Sequence, residues 1–226
     1  AYFQALIDRH KPGLQKGLLL DLACGTGSLS FALQEQGYDV IGVDGSPEML
    51  AAAAEKGAKI SRRPLFLCQE MPELDLFGTV GVTVCALDSL NHLPGEAALV
   101  QVFRRVHLFT EPGGLFLFDV NTVYKHREIL GDNVFLLERE GLVCVWQNRY
   151  RPQNQQVDID LDFFEQQPGG LYRRESERFQ ERIFSPGVIT SCLETTGFAL
   201  LGRYGDDGFA PPEAKTQRDI YVAERI

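Results

Sequence analysis

Long apolar runs are missing from this 226-residue sequence. None approaches the roughly 18–20 residues that span a bilayer, so no membrane-crossing helix is expected. Basic residues are also scarce. Lys and Arg total 22 against 31 Asp and Glu, a net charge of -9. Binding to a phosphate backbone asks for clustered cations, and Arg62-Arg63 and Arg104-Arg105 are only pairs, read as solvated faces. Nucleic acid is therefore an unfavoured partner. Metal-ligand spacing is absent too. Cys24, Cys68, Cys85, Cys144 and Cys192 stand singly, without a CxxC and without a histidine at ligand distance in sequence. No metal site is expected. The odd number of thiols reads as reduced, which points to the cytoplasm. The opening residues do not read as a secretory signal. The chain starts at Ala1 rather than Met, and a missing native N-terminus is expected.

What is there alternates. Leu18–Leu22 is a continuous apolar run, the mark of a strand buried on both faces of a parallel sheet. Ser28–Gln36 reads as a helix stopped by Gly37, and Asp39–Val43 as a second strand. Ser46-Pro47-Glu48 opens a helix well, with Ser as cap, Pro in the first turn and Glu at the positive end; Gly57 ends it. Leu65–Cys68 and Val80–Ala86 are the third and fourth strands. Leu99, Val102, Phe103 and Val106 share one face of a helix over Gly95–Phe109. "EPGG" then breaks the chain before a fifth strand at Leu115–Phe118. Strands joined through helices imply right-handed crossovers and an α/β fold with a mostly parallel sheet.

The pattern changes after Asn121. Val157, Ile159, Leu161 and Phe163 alternate with Asp158, Asp160 and Asp162, a strand with one wet face. Leu142–Tyr150 and Tyr172–Phe184 read as its antiparallel partners. Residues 122–184 thus form a β insertion, a candidate lid over a substrate, and 1–121 with 185–226 form the main domain. Ser185-Pro186 caps a further helix, Gly187–Thr196, before strands near Ala199–Arg203 and Asp219–Glu224.

The chemistry concentrates in "LLLDLACGTGSLS", residues 18–30. Gly25 and Gly27 leave the strand-to-helix turn bare, so backbone amides can approach an anionic or accepting group. Asp44 ends the second strand 19 residues after Gly25, where an acid accepts from the two ribose hydroxyls of an adenosine cofactor. Ser30 occupies the third glycine position of the dinucleotide fingerprint, which weakens an NAD reading. Asp21 weakens it further, because a carboxylate suits a cation better than a pyrophosphate. A nucleoside with a positively charged tail is implied, and S-adenosylmethionine fits.

"DLACGTGSLS" resembles motif I of class I S-adenosylmethionine-dependent methyltransferases, and "VIGVDGSPEML" their second-strand motif. "CQEMPEL", "ALDSLNHL" and "PGGLFLFDVNT" resemble the segments after the third and fourth strands and the fifth-strand motif. Their order, the insertion and the ending "RDIYVAER" are similar to bacterial YqeM-like methyltransferases. The resemblance implies a Rossmann-like seven-stranded sheet and a set of roles. Asp21 and the backbone from Ala23 through Gly25 to Gly27 would hold the methionine end. Asp44 would take the ribose, flanked by Gly45 and Met49. Glu70 would accept from the adenine amino group, with Met71 against the ring. Leu87 and Asp88 would line the floor near the sulfonium. Family members carry an N-terminal helical segment with a Tyr-Asp pair over the cofactor, and "AYFQALIDRH" is no clear copy of it. Many members have Gly where Ala23 stands, a mild change if residue 23 has ordinary φ.

Methyl transfer asks the protein mainly for alignment and exclusion of water. A base is needed only if the acceptor arrives protonated. Candidates at the strand tips are Asp88, His92 and Asp119, with Asn121 and Tyr124 near them. Trp146, Tyr150, Phe164 and Tyr172 could wall the acceptor site or merely fill the insertion's core. Arg149, Arg173, Arg174 and Arg178 could select an anionic acceptor or merely be solvated. The expected function is methyl transfer to an N or O nucleophile of a small molecule. An NAD-dependent oxidoreductase and a non-catalytic S-adenosylmethionine-binding module are the alternatives.

Overall fold

The computed structural model describes residues 2–58, 60–206 and 208–226. Helix α1 covers Tyr2–His10. The alternation then runs β1 (Leu18–Leu22), α2 (Ser28–Glu35), β2 (Asp39–Asp44), α3 (Pro47–Gly57), β3 (Leu65–Cys68), β4 (Val80–Cys85), α4 (Glu96–Phe109) and β5 (Thr110–Asn121). After a second β unit the chain closes with α5 (Pro186–Thr195), β10 (Phe198–Gly205) and β11 (Arg218–Arg225). The seven-stranded sheet has the order β10-β11-β5-β4-β1-β2-β3. Only β11 runs against the rest, pairing antiparallel with β5 and β10. The order reverses beside β1, and the carboxyl ends of β1 and β4 open a crevice there, the usual ligand position in open α/β sheets.

Both faces of the sheet are covered, so neighbouring residues on one strand serve opposite cores. Phe116 and Phe118 pack with Phe103, Ile189 and Tyr221 toward α4 and α5. Leu115 and Leu117 pack with Leu6, Leu33 and Tyr38 toward α1 and α2. This two-sided burial is why β1 reads as an unbroken apolar run. Phe118 stacks on Tyr221 at 5.0 Å between centroids.

Two elements depart from the sequence reading. "EPGG" does not break the chain before β5. Thr110 already pairs with Val80, and the register slips so that Leu115 meets Val82, leaving Glu111–Gly114 as a bulge. Gly114 is required there, because a Cβ would sit 2.9 Å from the Gly81 carbonyl. Helix α1 was not expected; its Leu6 and Ile7 are fully buried against the sheet.

Between β5 and α5 lies a π-helical segment, Lys125–Leu130, then a four-stranded antiparallel sheet. Its strands are β6 (Val134–Arg139), β7 (Leu142–Arg151), β8 (Gln156–Gln166) and β9 (Tyr172–Arg182), paired in sequence order. Strand β6 has no alternation to betray it, since it is exposed on both faces. Val157 and Ile159 point inward with Leu130, while Asp158, Asp160 and Asp162 take the wetter face.

Gly27 joins α2 to this frame. It has φ +73°, and a Cβ there would meet the Phe66 ring at 2.8 Å and the Ala53 Cβ at 3.2 Å. Gly27→Ala should cost about 2–4 kcal/mol, from left-handed strain plus overpacking. Chemical denaturation checks it, and an unchanged midpoint would show that the Phe66 ring yields freely.

Candidate active site

The turn after β1 is held from both ends. Cys24 donates its amide to the Val43 carbonyl at 3.0 Å, and Gly25 donates to Asp44 Oδ2 at 2.7 Å. Asp44 Oδ1 accepts from the Ser46 amide at 2.9 Å. One carboxylate therefore binds the turn after β1 to the turn after β2. Each of its oxygens keeps a further acceptor site for a ligand. Ser46 caps α3 through its hydroxyl, as its sequence position suggests.

A cleft of about 710 Å³ opens at these strand tips. Asp21, Ala23 and Gly25 line it from β1, and Asp44, Gly45 and Met49 from β2 and α3. Glu70 and Met71 close the side beyond β3, and Leu87 and His92 the side beyond β4. A Cβ on Gly45 would lie 2.6 Å from the Glu70 carboxylate, which would have to swing aside. Met49 is exposed on the cleft wall rather than packed in the core.

Three expected site residues are placed differently. Gly27 does not line the cleft; it is packed against Phe66. Asp88 points away, with Oδ1 on Arg218 and Oδ2 accepting from Asn121 at 3.0 Å. Asp119 is only 3% exposed and lies behind the loop after β4. Its two oxygens accept from the Leu87 amide at 3.1 Å and the Asp88 amide at 2.5 Å, and Arg218 pairs with it at 3.1 Å. These bonds hold two consecutive left-handed residues, Leu87 at φ +60° and Asp88 at φ +53°. Such backbone persists only where its surroundings over-determine it. The consequence is that Leu87, 71% exposed, is presented at the cleft. Burial pushes the Asp119 carboxyl above the usual range, with Arg218 and the two amides pulling the other way.

Ala23 also differs from expectation. Its φ is +59°, in the left-handed region where an L side chain costs about 1–2 kcal/mol. The alanine is therefore a strained choice rather than a mild one.

Asp21 is 1% exposed and accepts from the hydroxyl of Ser30, which is itself fully buried. Burial above all, with the Asp44 charge adding to it, raises the Asp21 carboxyl to about 7 against the Ser30 bond. Ser30 was read only as a missing glycine; its position one turn into α2 aims its hydroxyl at Asp21. A buried acid poised near neutrality is suited to a cationic ligand group, which would stabilise its ionised form.

A second cavity, about 830 Å³, borders the first. The two share His92 and Phe179, whose rings lie 5.2 Å apart between centroids. Asp158, Asp160, Arg178 and Gln180 of β8 and β9 line it, with Arg178 paired to Asp160 at 3.0 Å. The aromatic at the junction is Phe179, not one of the four expected. Trp146 and Tyr150 pack inside the second sheet, Phe164 lies under Arg174, and Tyr172 is exposed near the far hairpin. Arg173 and Arg174 pair with Glu165 and Asp162 at the surface. Tyr124 starts the π-helical segment and does not line either cavity.

Behind the junction Glu181 of β9 is 4% exposed. Its Oε2 accepts from Asn121 Nδ2 and faces His126 Nε2, both at 2.9 Å. His126 Nδ1 faces the Thr122 carbonyl at 2.9 Å and so carries a proton. Burial alone would raise the Glu181 carboxyl, but the His126 and Asn121 bonds hold it below the usual range. Nothing in sequence announces Glu181, which reaches Asn121 across 60 residues.

An acid at each of the first two strand tips, glycines between them and a topological switch point define a nucleoside-binding α/β enzyme. A family model described as a methyltransferase domain matches residues 19–114. "Putative methyltransferase YqeM" of Bacillus subtilis (strain 168) is 34% identical over 212 residues, 93% of this chain and 85% of that protein. The crystal structure of an S-adenosylmethionine-dependent methyltransferase from Clostridium acetobutylicum ATCC 824 superposes with TM-score 0.91 at 27% identity, covering 99% of this chain and 89% of that one. CalS10 of Micromonospora echinaspora, an amino pentose methyltransferase solved with S-adenosylmethionine bound, superposes at TM-score 0.77 and 20% identity, covering 99% and 89%. The chain belongs to the S-adenosylmethionine-dependent methyltransferases.

Ala23→Gly should stabilise the protein by about 1 kcal/mol by removing left-handed strain, read as a higher denaturation midpoint; a lower one would mean that the methyl group packs usefully. The folded chain holds the Asp21 proton to about pH 7, whereas the unfolded chain releases it near 3.8. That contribution to stability is present below the lower value and lost as pH rises through the higher one. Asp21→Asn should therefore raise the melting temperature of the ligand-free protein at pH 8. It should also weaken S-adenosylmethionine binding at least tenfold. For the unaltered protein, calorimetry should find binding roughly fivefold to tenfold weaker at pH 6 than at pH 8, following ionisation of Asp21. Binding independent of pH, or unaffected by the substitution, would remove Asp21 from the cofactor site.

Proposed function

We propose that this methyltransferase acts on a small, polar acceptor seated in the second cavity, with the nucleophile, an amine or hydroxyl, entering beside His92. The observation that carries this reading is the junction: His92 and Phe179 belong to both cavities. An acceptor in one could thus meet a methyl donor in the other. The lining supports a polar molecule, since carboxylate, guanidinium and amide groups dominate it. Bonds from Arg151, Gln156 and Gln180 hold Asp158 below the ordinary carboxylate range and so ionised, against a smaller effect of burial. The amino pentose acceptor named for CalS10 is in keeping with that chemistry.

The cofactor chemistry is supplied by the sulfonium, whose methyl is already activated. The chain's own residues do the rest. Asp21 meets the cationic methionine end and Asp44 the ribose; Glu70 and Met71 take the adenine. Residues 122–184 are the lid that brings Phe179 over the junction. Alignment of this kind is worth roughly 7–11 kcal/mol of barrier when reacting groups are held in line. His92 contacts the acceptor. Asp88 and Asp119 act one layer back, as the supports of the Leu87 loop. No helix among the described residues is long and apolar enough to cross a membrane. A cytoplasmic enzyme that does not act on nucleic acid is the setting the acidic charge and single cysteines support.

The test is methyl transfer from methyl-labelled S-adenosylmethionine to a panel of amino sugars, hydroxylated acids and phenols. For an acceptor found this way, His92→Ala should lower kcat/KM at least tenfold while S-adenosylhomocysteine affinity stays within about threefold. Unchanged transfer in that variant would displace the acceptor from this junction.

A further inference from the structure

We propose that strand β6 pairs antiparallel with β6 of a second copy of this chain, joining two four-stranded sheets into one about a two-fold axis at Leu136. β6 is an edge of its sheet, and its outer side pairs with no strand among the described residues. A bare edge is a template for another strand unless something blunts it. The opposite edge, β9, is blunted by charge, with Arg173, Arg174, Glu175, Glu177 and Arg178 exposed along it. β6 reads VFLLER, without proline or glycine and with charge only at its last two residues. Val134, Leu136 and Leu137 are 62%, 67% and 53% exposed, and alternation puts them on both faces of the strand. Residues of this kind on an uncovered edge favour a further strand.

Register identifies the occupant as a second copy. Opposite residues of an antiparallel pair share a face of the sheet, so a two-fold axis between identical strands must fall on a residue. With the axis on Leu136, that residue meets its own copy, Phe135 meets Leu137 on either side of it, and Val134 meets Glu138. Within the strand no two like charges are opposed. An axis on Leu137 would set Leu136 against Glu138 and Phe135 against Arg139. An axis on Phe135 would set Leu137 against Asn133, beyond the strand. The pattern of β6 therefore matches itself in one register. The same register continues the packing behind it. In one copy Leu161, Trp146 and Phe135 form a row across three strands, and Phe163, Cys144 and Leu137 form the next row. The first row packs with the sheet's own core, while Leu137 of the second is open. Setting Phe135 opposite Leu137 runs each row of one sheet into the other row of its copy. A foreign strand could take the edge, but it would bring no such row.

Such a contact leaves the chemistry free. The strand order β6-β7-β8-β9 puts β9, which carries Phe179, at the far edge from the axis in each copy. Both clefts therefore stay open. The π-helical segment joins the amino end of β6 to the main domain, so antiparallel pairing sends the two main domains to opposite ends of the pair. A two-fold contact also consumes both bare edges and closes, rather than propagating into a fibre.

The experiment is sedimentation velocity of the unaltered protein, from submicromolar to a hundred micromolar, beside Leu136→Lys and Leu136→Glu. One six-residue strand per copy is small for an interface, so a dimer with a micromolar dissociation constant is expected. Each variant alone opposes like charges at the axis and should weaken dimerisation at least thirtyfold. Circular dichroism and S-adenosylhomocysteine affinity should not change, because Leu136 is exposed and outside the cleft. An equimolar mixture of the two variants sets Lys against Glu and should restore the dimer to within about tenfold of the unaltered protein. That rescue requires residue 136 to face its own copy. A monomer throughout the range would overturn the proposal and leave the edge to a foreign strand. A dimer indifferent to both variants, a mixture that stays monomeric, or association that grows beyond two copies would overturn it as well. None of these readings depends on the acceptor seat.

Discussion

The cofactor cleft depends on one carboxylate. Asp44 stands at the end of β2 and gives one oxygen to the Gly25 amide and the other to the Ser46 amide. Hydrogen bonds to a charged group are each worth about 1.5–3 kcal/mol. The turn they hold passes through left-handed Ala23, Gly25 and Gly27 and is strained at Ala23. The same acid that would receive the ribose thus keeps the backbone beneath the methionine end in place. Binding and local backbone support share one side chain at this position.

A second carboxylate repeats the device on the other side of the switch point. Asp119 holds the left-handed pair Leu87 and Asp88, and Arg218 of β11 holds Asp119. The floor of the cleft is thereby tied to the antiparallel strand of the main sheet. From Asp88 the polar chain continues through Asn121 to Glu181 of β9. Strand β9 and the floor of the cleft meet through these side-chain hydrogen bonds. A contact of this kind is directional, so it fixes how β9 sets Phe179 beside His92.

The alternating half of the fold was legible because its strands are buried on both faces and its helices carry caps and stop glycines. Leu18–Leu22 and Ser46-Pro47 are examples. The bulge in β5 was not, since a Pro-Gly-Gly run reads locally as a break and only pairing with β4 shows it to be part of a strand. Strand β6 has no buried face to impose alternation. Of the residues that line the cleft, Asp21 and Asp44 were legible from their places at strand ends and Glu70 from the resemblance of "CQEMPEL" to a known segment, signals that report position along the chain. The direction in which a side chain turns at a strand tip is not written in spacing. Asp88 and Asp119 share tip positions with the lining residues but turn to serve loop amides and Arg218. Ser30 and Glu181 act through partners brought up by the fold, and neither carries a signal of its own.

The most direct measurement is calorimetric titration of S-adenosylhomocysteine into the protein and into Asp44→Ala, with NADH as the control ligand. The account predicts one site for S-adenosylhomocysteine, at least thirtyfold weaker in the variant while its circular dichroism is retained, and no NADH binding. Equal affinity in the two proteins would contradict the placement of the ribose on Asp44, and with it the orientation of the nucleoside across the cleft.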